Sequence, residues 1–193
     1  MAAGTSTAPR ASARARLLAA ADELFYAEGI HTVGIDRVIE RAGVAKASLY
    51  STFGSKDALV RAYLEARHEA RVGRIAAATA GLTDPKDKIL AVFDSLAAWC
   101  ARPDFNGCAF NNASAEAHPG SAEAEVTAVS RAYSHDLFAD LGREAGAADP
   151  DLLARQLVQL YDGAMISARM DRDGQAPATA KATAAILLDA ATR

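Results

Sequence analysis

The chain has 193 residues, 51% hydrophobic and 23% charged, a balance that fits one or two globular domains and leaves no window apolar enough to span a membrane. Its net charge of −3 is uneven: residues 1–75 hold 11 Lys+Arg against 8 Asp+Glu, a surplus of +3, and residues 76–193 hold 10 against 16, a deficit of −6. Cys100 and Cys108 fit no metal-binding spacing, so neither a metal nor another cofactor is expected. The Arg-rich start lacks the apolar stretch of a secretory signal, and the expectation is a cytoplasmic protein.

Alanine is abundant while β-branched and aromatic residues are sparse, which favours helix over sheet. Residues 1–10 are expected to be a disordered arm. Leu17, Ala20, Ala21, Leu24 and Phe25 then recur at helical spacing over 12–28, and Gly29 ends that helix. A short helix is predicted over 35–42, with glycine 34 as a cap lacking a side-chain acceptor. Gly43 provides a tight turn, and a second short helix covers 46–53. Ser55 caps a longer helix over 56–78. Asp84-Pro85 and Asp149-Pro150 each read as a cap followed by proline at the first helical position, opening helices over 85–101 and 150–170. Helices are also predicted over 105–117 and 121–145, and Pro177 is expected to open the last one. No stretch alternates with the period of a strand. The expected class is all-α with about nine helices: a head over 11–57 and a helical body over 58–193.

The two short helices joined at Gly43-Val44 have the layout of a helix-turn-helix, whose second helix enters a major groove while the first braces it. On the second helix, Lys46 could bond guanine or a phosphate, Ser48 and Thr52 bases or backbone, and Ala47 a thymine methyl; Ser51 lies on the same helix. Arg37, Arg41 and His31 are further candidates for the DNA backbone. Val38, Val44, Leu49 and Phe53 are the apolar residues expected to hold the head together.

The block Ala42-Gly43-Val44, Lys46, Leu49-Tyr50, Phe53 and Ser55-Lys56-Asp57-Ala58-Leu59 resembles the DNA-binding head of the TetR family of repressors. The stretch GCAFNNASAE (107–116), with Leu157, Leu160 and Asp162-Gly163-Ala164, resembles one subgroup of it. The resemblance implies a repressor that binds a palindromic operator in double-stranded DNA as a homodimer. It also implies phosphate contacts from Lys56 and from Tyr50, which read by itself is either a partly buried core aromatic or a phenol reaching a phosphate. At Gly34 many family members carry Ser or Thr, so a hydroxyl–phosphate contact is absent here.

For the body the resemblance implies a small-molecule effector site and a dimer formed by its last two helices. Phe93, Trp99, Phe105, Cys108, Phe110, Asn112, Tyr133, Tyr161 and Met165 are the candidate lining, and suggest a mainly apolar or aromatic ligand. Asn111, Asn112 and His135 are candidates to orient it. Leu153, Leu157, Leu160, Ala164 and Ala168 share one helix face and, with Ala182 and Ile186, are the expected dimer interface. Two rival readings use Cys108: an oxidation sensor, or a thiol enzyme with His118 or His135 as base. No nucleophile elbow or phosphate loop accompanies that cysteine, so no enzyme is expected.

Overall fold

The computed structural model describes residues 11–172 and 174–193; the arm expected over 1–10 lies outside them. Among the described residues the chain forms nine helices and no strand. They are α1 (Ala13–Glu28), α2 (Ile35–Ala42), α3 (Lys46–Phe53), α4 (Lys56–Thr79), α5 (Pro85–Cys100), α6 (Ala109–Glu116), α7 (Ala122–Glu144), α8 (Pro150–Asp171) and α9 (Gln175–Ala191). Caps start them where the sequence supplies an acceptor: the side chains of Ser12, Asp84, Ser121 and Asp149 each take a backbone N–H from the first turn.

The chain divides into two compact units, residues 1–63 and 64–193. The expected boundary at 57/58 therefore moves into α4. The reason is packing: Leu59, Val60 and Tyr63 are buried, and the Tyr63 ring stands edge-on to Phe25 at 5.6 Å. A helix start is visible in sequence, whereas the turn at which its side chains change neighbours is not. The head's interior is completed by Leu17, Ala21, Leu24, Val33, Val38 and Leu49, each large aliphatic contributing ~1.5–3 kcal/mol by leaving water.

The body has its own core, in which Ile89, Val92, Phe93 and Leu96 of α5 meet Phe138, Leu153, Leu157, Tyr161 and Leu188. This overturns part of the expected dimer interface. Leu153, Leu157, Ala164 and Ala168 are buried within the single chain, and a side chain already covered has little area to offer a second copy. Leu160 is half-buried, and Ala182 and Ile186 are exposed. The buried residues of α8 pack inside the single chain, which is the other neighbour that an apolar stripe on this helix could have.

Two elements start elsewhere than expected. α6 begins at Ala109 rather than 105, because Gly107 has φ +83° and a Cβ there would come 2.8 Å from Cδ of Arg169. The segment before it is a turn built around glycine, not a helical turn. α9 begins at Gln175, two residues before Pro177; the first turn tolerates proline because its N–H groups have no helical acceptor.

Candidate nucleic-acid interface and the cavity of the body

In the head, α2 ends at Gly43 with φ +61°, and its N–H and that of Val44 turn back to the carbonyls of Glu40 and Ile39. Arg16 of α1 reaches this turn: its Nη1 donates to the carbonyls of Ala42 at 3.1 Å and Gly43 at 2.8 Å. A cation on the last carbonyls of a helix satisfies acceptors that have no helical partner. Arg16 was not singled out in the sequence, since it lies in a different helix from the turn it holds.

On α3, Leu49 is fully buried while Ser48 and Phe53 are half-buried. Lys46, Ala47, Tyr50, Ser51 and Thr52 are exposed, Tyr50 at 48%. One helix thus has an anchored face and an open face, and the open face carries most of the expected DNA-contacting residues. Ser51 and Thr52 currently donate to the Ser48 carbonyl, at 3.1 and 2.6 Å, leaving their oxygen lone pairs as acceptors. Gly34 starts α2 with no side-chain bond.

Three cations of the head have carboxylate partners. Arg37 forks onto Glu28 at 2.7 and 2.9 Å, Arg41 pairs with Glu23 at 2.7 Å, and Lys46 with Asp36 at 2.9 Å. The hydrogen bond from Arg37 holds the Glu28 carboxyl below its usual range. Lys56 donates to the Ile30 carbonyl at 2.7 Å and lies 5.8 Å from the centre of the Phe25 ring. Its position therefore serves the head's closure.

In the body, an open cleft of about 390 Å³ is lined by Arg71, Cys108, Phe110, Asn111, Ser130, Asp162 and neighbours. A recess of about 50 Å³ shares Arg71, Cys108 and Phe110 with it and adds Arg67, Arg74, Trp99, Tyr161 and Met165. Five of the expected lining residues, Trp99, Cys108, Phe110, Tyr161 and Met165, are thus brought together. Four are not. Phe93 is fully buried in the core, stacked on Phe138, and Phe105 sits in the preceding loop. Tyr133 faces Arg71 and the His68 ring instead. Asn112 is a scaffold residue: its Nδ2 donates to the Asn106 carbonyl at 3.1 Å and its Oδ1 accepts from Arg169 at 2.7 Å. Both ends of that amide are occupied, so it has little left for a ligand. His135 lines a different cleft, of about 510 Å³, with Arg155 and Gln159.

The sequence reading missed the arginines. Arg67, Arg71 and Arg74 lie at i, i+4 and i+7 on α4 and share one face; that spacing was available as a signal. Arg74 lies 4.5 Å from the centre of the Trp99 ring and donates to Ser95 Oγ at 3.2 Å. Burial raises both thiols, Cys100 to about 11 and Cys108 also upward. Protonated thiols are poor nucleophiles and poor oxidation sensors.

Comparison with known proteins agrees with this geometry. The family described as "Bacterial regulatory proteins, tetR family" matches residues 17–63. A TetR-family transcriptional regulator from Streptomyces coelicolor is 35% identical, with a TM-score of 0.87 over 94% of this chain and 96% of its own. A putative TetR transcriptional regulator from Streptomyces avermitilis is also 35% identical, with a TM-score of 0.84 over 94% of this chain and 98% of its own. The transcriptional activator FasR of Mycolicibacterium smegmatis is 36% identical over 87 residues, 45% of this chain, and that match spans only 40% of the activator's length. With a helix-turn-helix head on a helical body and relatives alike over nearly their whole length, the chain belongs to the TetR family of bacterial DNA-binding transcriptional regulators.

Proposed function

We propose that the chain acts as a homodimer that binds a palindromic operator through α3 of each head, represses the adjoining promoter, and releases DNA when a small molecule occupies the cavity of the body. The observation that carries this reading is the open face of α3, with Lys46, Ala47, Tyr50, Ser51 and Thr52 exposed around an anchoring Leu49. Arg37 and Lys56 are proposed as backbone contacts, and the small side chains of α3 as groove contacts.

A dimer is supported by large apolar side chains left in water on the last two helices: Leu152, Ile166 and Met170 on α8, the last 76% exposed, and Ile186 on α9, 67% exposed. Exposed apolar groups clustered on adjacent helices mark an interaction surface. Two heads held roughly 34 Å apart would read successive turns of the same groove. Release requires that the ligand bind the non-DNA-binding arrangement more tightly than the other. FasR's name gives a second reading, an activator; the position of the operator relative to the promoter decides between them, and a reporter assay with and without the protein gives the sign.

The test is a titration of purified protein with DNA from upstream of its own gene at several salt concentrations. Affinity should fall steeply with log salt, and Lys56→Ala should reduce the slope by about one unit. Ile186→Glu should turn a dimer into a monomer by light scattering and weaken operator binding. A wild-type monomer, or a flat salt response, would remove the corresponding half of the reading.

A further inference from the structure

The described residues contain four buried side-chain polar atoms with no hydrogen-bond partner, and three of them meet in the body: His68 Nδ1, Arg71 Nε and Ser130 Oγ. Arg71 is the centre of the group. It is 9% exposed, and its Nη2 donates to the Ser130 carbonyl at 2.6 Å. Its guanidinium lies 5.1 Å from the centre of the Phe110 ring and 5.6 Å from that of Tyr133. The His68 ring, three residues earlier on α4, stands edge-on to the same two rings.

No carboxylate among the described residues lies within ion-pair distance of Arg71. Asp162, which lines the same cleft, pairs with Arg131 at 2.6 Å. A buried cation without a counter-charge is unfavourable, and one that lines a cleft is a candidate binding group. Arg71 lines both the cleft and the recess.

We propose that the cavity binds an organic monocarboxylate with an aromatic or apolar body, its carboxylate paired with the Arg71 guanidinium. This rests on the reading of the cavity as the effector site, and it adds a charge to the expected apolar ligand. A single negative charge is assigned because, of the three arginines that line the recess, Arg67 and Arg74 lie with Arg102 on the Trp99 ring, whereas Arg71 lies against Phe110 and Tyr133. The apolar part lies against Phe110 in the cleft of about 390 Å³; the recess of about 50 Å³ walled by Trp99, Tyr161 and Met165 adjoins it but is smaller than a phenyl ring. A neutral compound of the same shape would leave Arg71 unpaired and is rejected for that reason.

Trp99 is the only tryptophan of the chain and lines the recess, so its emission reports occupancy. Wild-type protein is titrated with 3-phenylpropionate, with 3-phenylpropanamide and with inorganic phosphate at constant ionic strength, followed by Trp99 fluorescence and by thermal shift. The carboxylate should bind saturably and raise the melting temperature, with the amide and phosphate weaker by roughly tenfold or more. Arg71→Met should abolish the preference for the carboxylate while melting no lower than the unliganded wild type, since it removes an unpaired buried charge. Arg71→Lys should keep a weakened preference.

Equal binding of carboxylate and amide, no binding of the carboxylate, or an unchanged preference in Arg71→Met would overturn the proposal. Phosphate binding as tightly as the carboxylate would replace it with a free-oxyanion site. DNA affinity is read separately. If phenylpropionate binds through Arg71 yet leaves operator affinity unchanged, the carboxylate site stands and release by ligand fails; if phenylpropionate does not bind, DNA recognition by the head is untouched.

Discussion

In the head, Arg37, Arg41 and Lys46 stand at the surface with a carboxylate each, whereas in the body Arg71 is buried with none. The two arrangements suit different ligands. Exposed ion pairs contribute little to stability, because water screens them. On the proposed reading, a DNA phosphate would replace Glu28 or Asp36 at small loss, which would make affinity sensitive to salt. Arg71 is only 9% exposed, so on the proposed reading its interaction with an incoming anion would be stronger and more selective. The head holds its cations ready for exchange; the body holds one in want of a partner.

The largest effect expected from disturbing either region comes from its core. Leu49→Ala removes the buried anchor of α3 and should destabilise the head by about 2–5 kcal/mol. Operator binding should be lost, while Trp99 emission stays native until the body melts. Coincident loss of both signals in a denaturant titration would mean that head and body unfold together, and the contrast between them would not extend to stability.

A smaller effect is expected from acid. Burial, with the nearby Arg71 charge, holds the His68 pKa below its ordinary 6.5. As pH falls below 6.5 the unfolded chain binds a proton at this position that the folded chain does not, so stability falls with it. Above that value both states are neutral and the difference disappears. Melting temperatures between pH 7.5 and 5.5 should fall more steeply in the wild type than in His68→Gln. Parallel curves would show that His68 titrates as it does in the unfolded chain.

The smallest effect separates binding from stability in the head. Glu28→Gln removes the carboxylate that Arg37 forks onto, with no measurable change expected in melting temperature. Operator affinity at low salt should rise a few-fold, and the salt slope should steepen by up to about one as Arg37 takes up a phosphate. Unchanged binding would place Arg37 outside the DNA contact.

Local chemistry made much of this legible from the chain alone. Ser12, Asp84, Ser121 and Asp149 mark helix starts and Gly43 a turn, because capping and positive φ depend on the residue itself. Leu49 was readable as an anchor, but Tyr50 could be a partly buried core aromatic or a phosphate contact, and only the fold shows it 48% exposed. The sequence could not say against what a face packs. Leu157 and Ala164 form an apolar stripe whether they meet a second copy or α5, and only the fold assigns them to the core. Asn112 was a candidate ligand group until Arg169, 57 residues away, took its oxygen. Arg71 was one arginine among many until burial left it without a carboxylate. Cap, turn and period are set by neighbours along the chain, whereas burial and partnership are set by segments far apart in sequence, and only the tertiary structure brings those together.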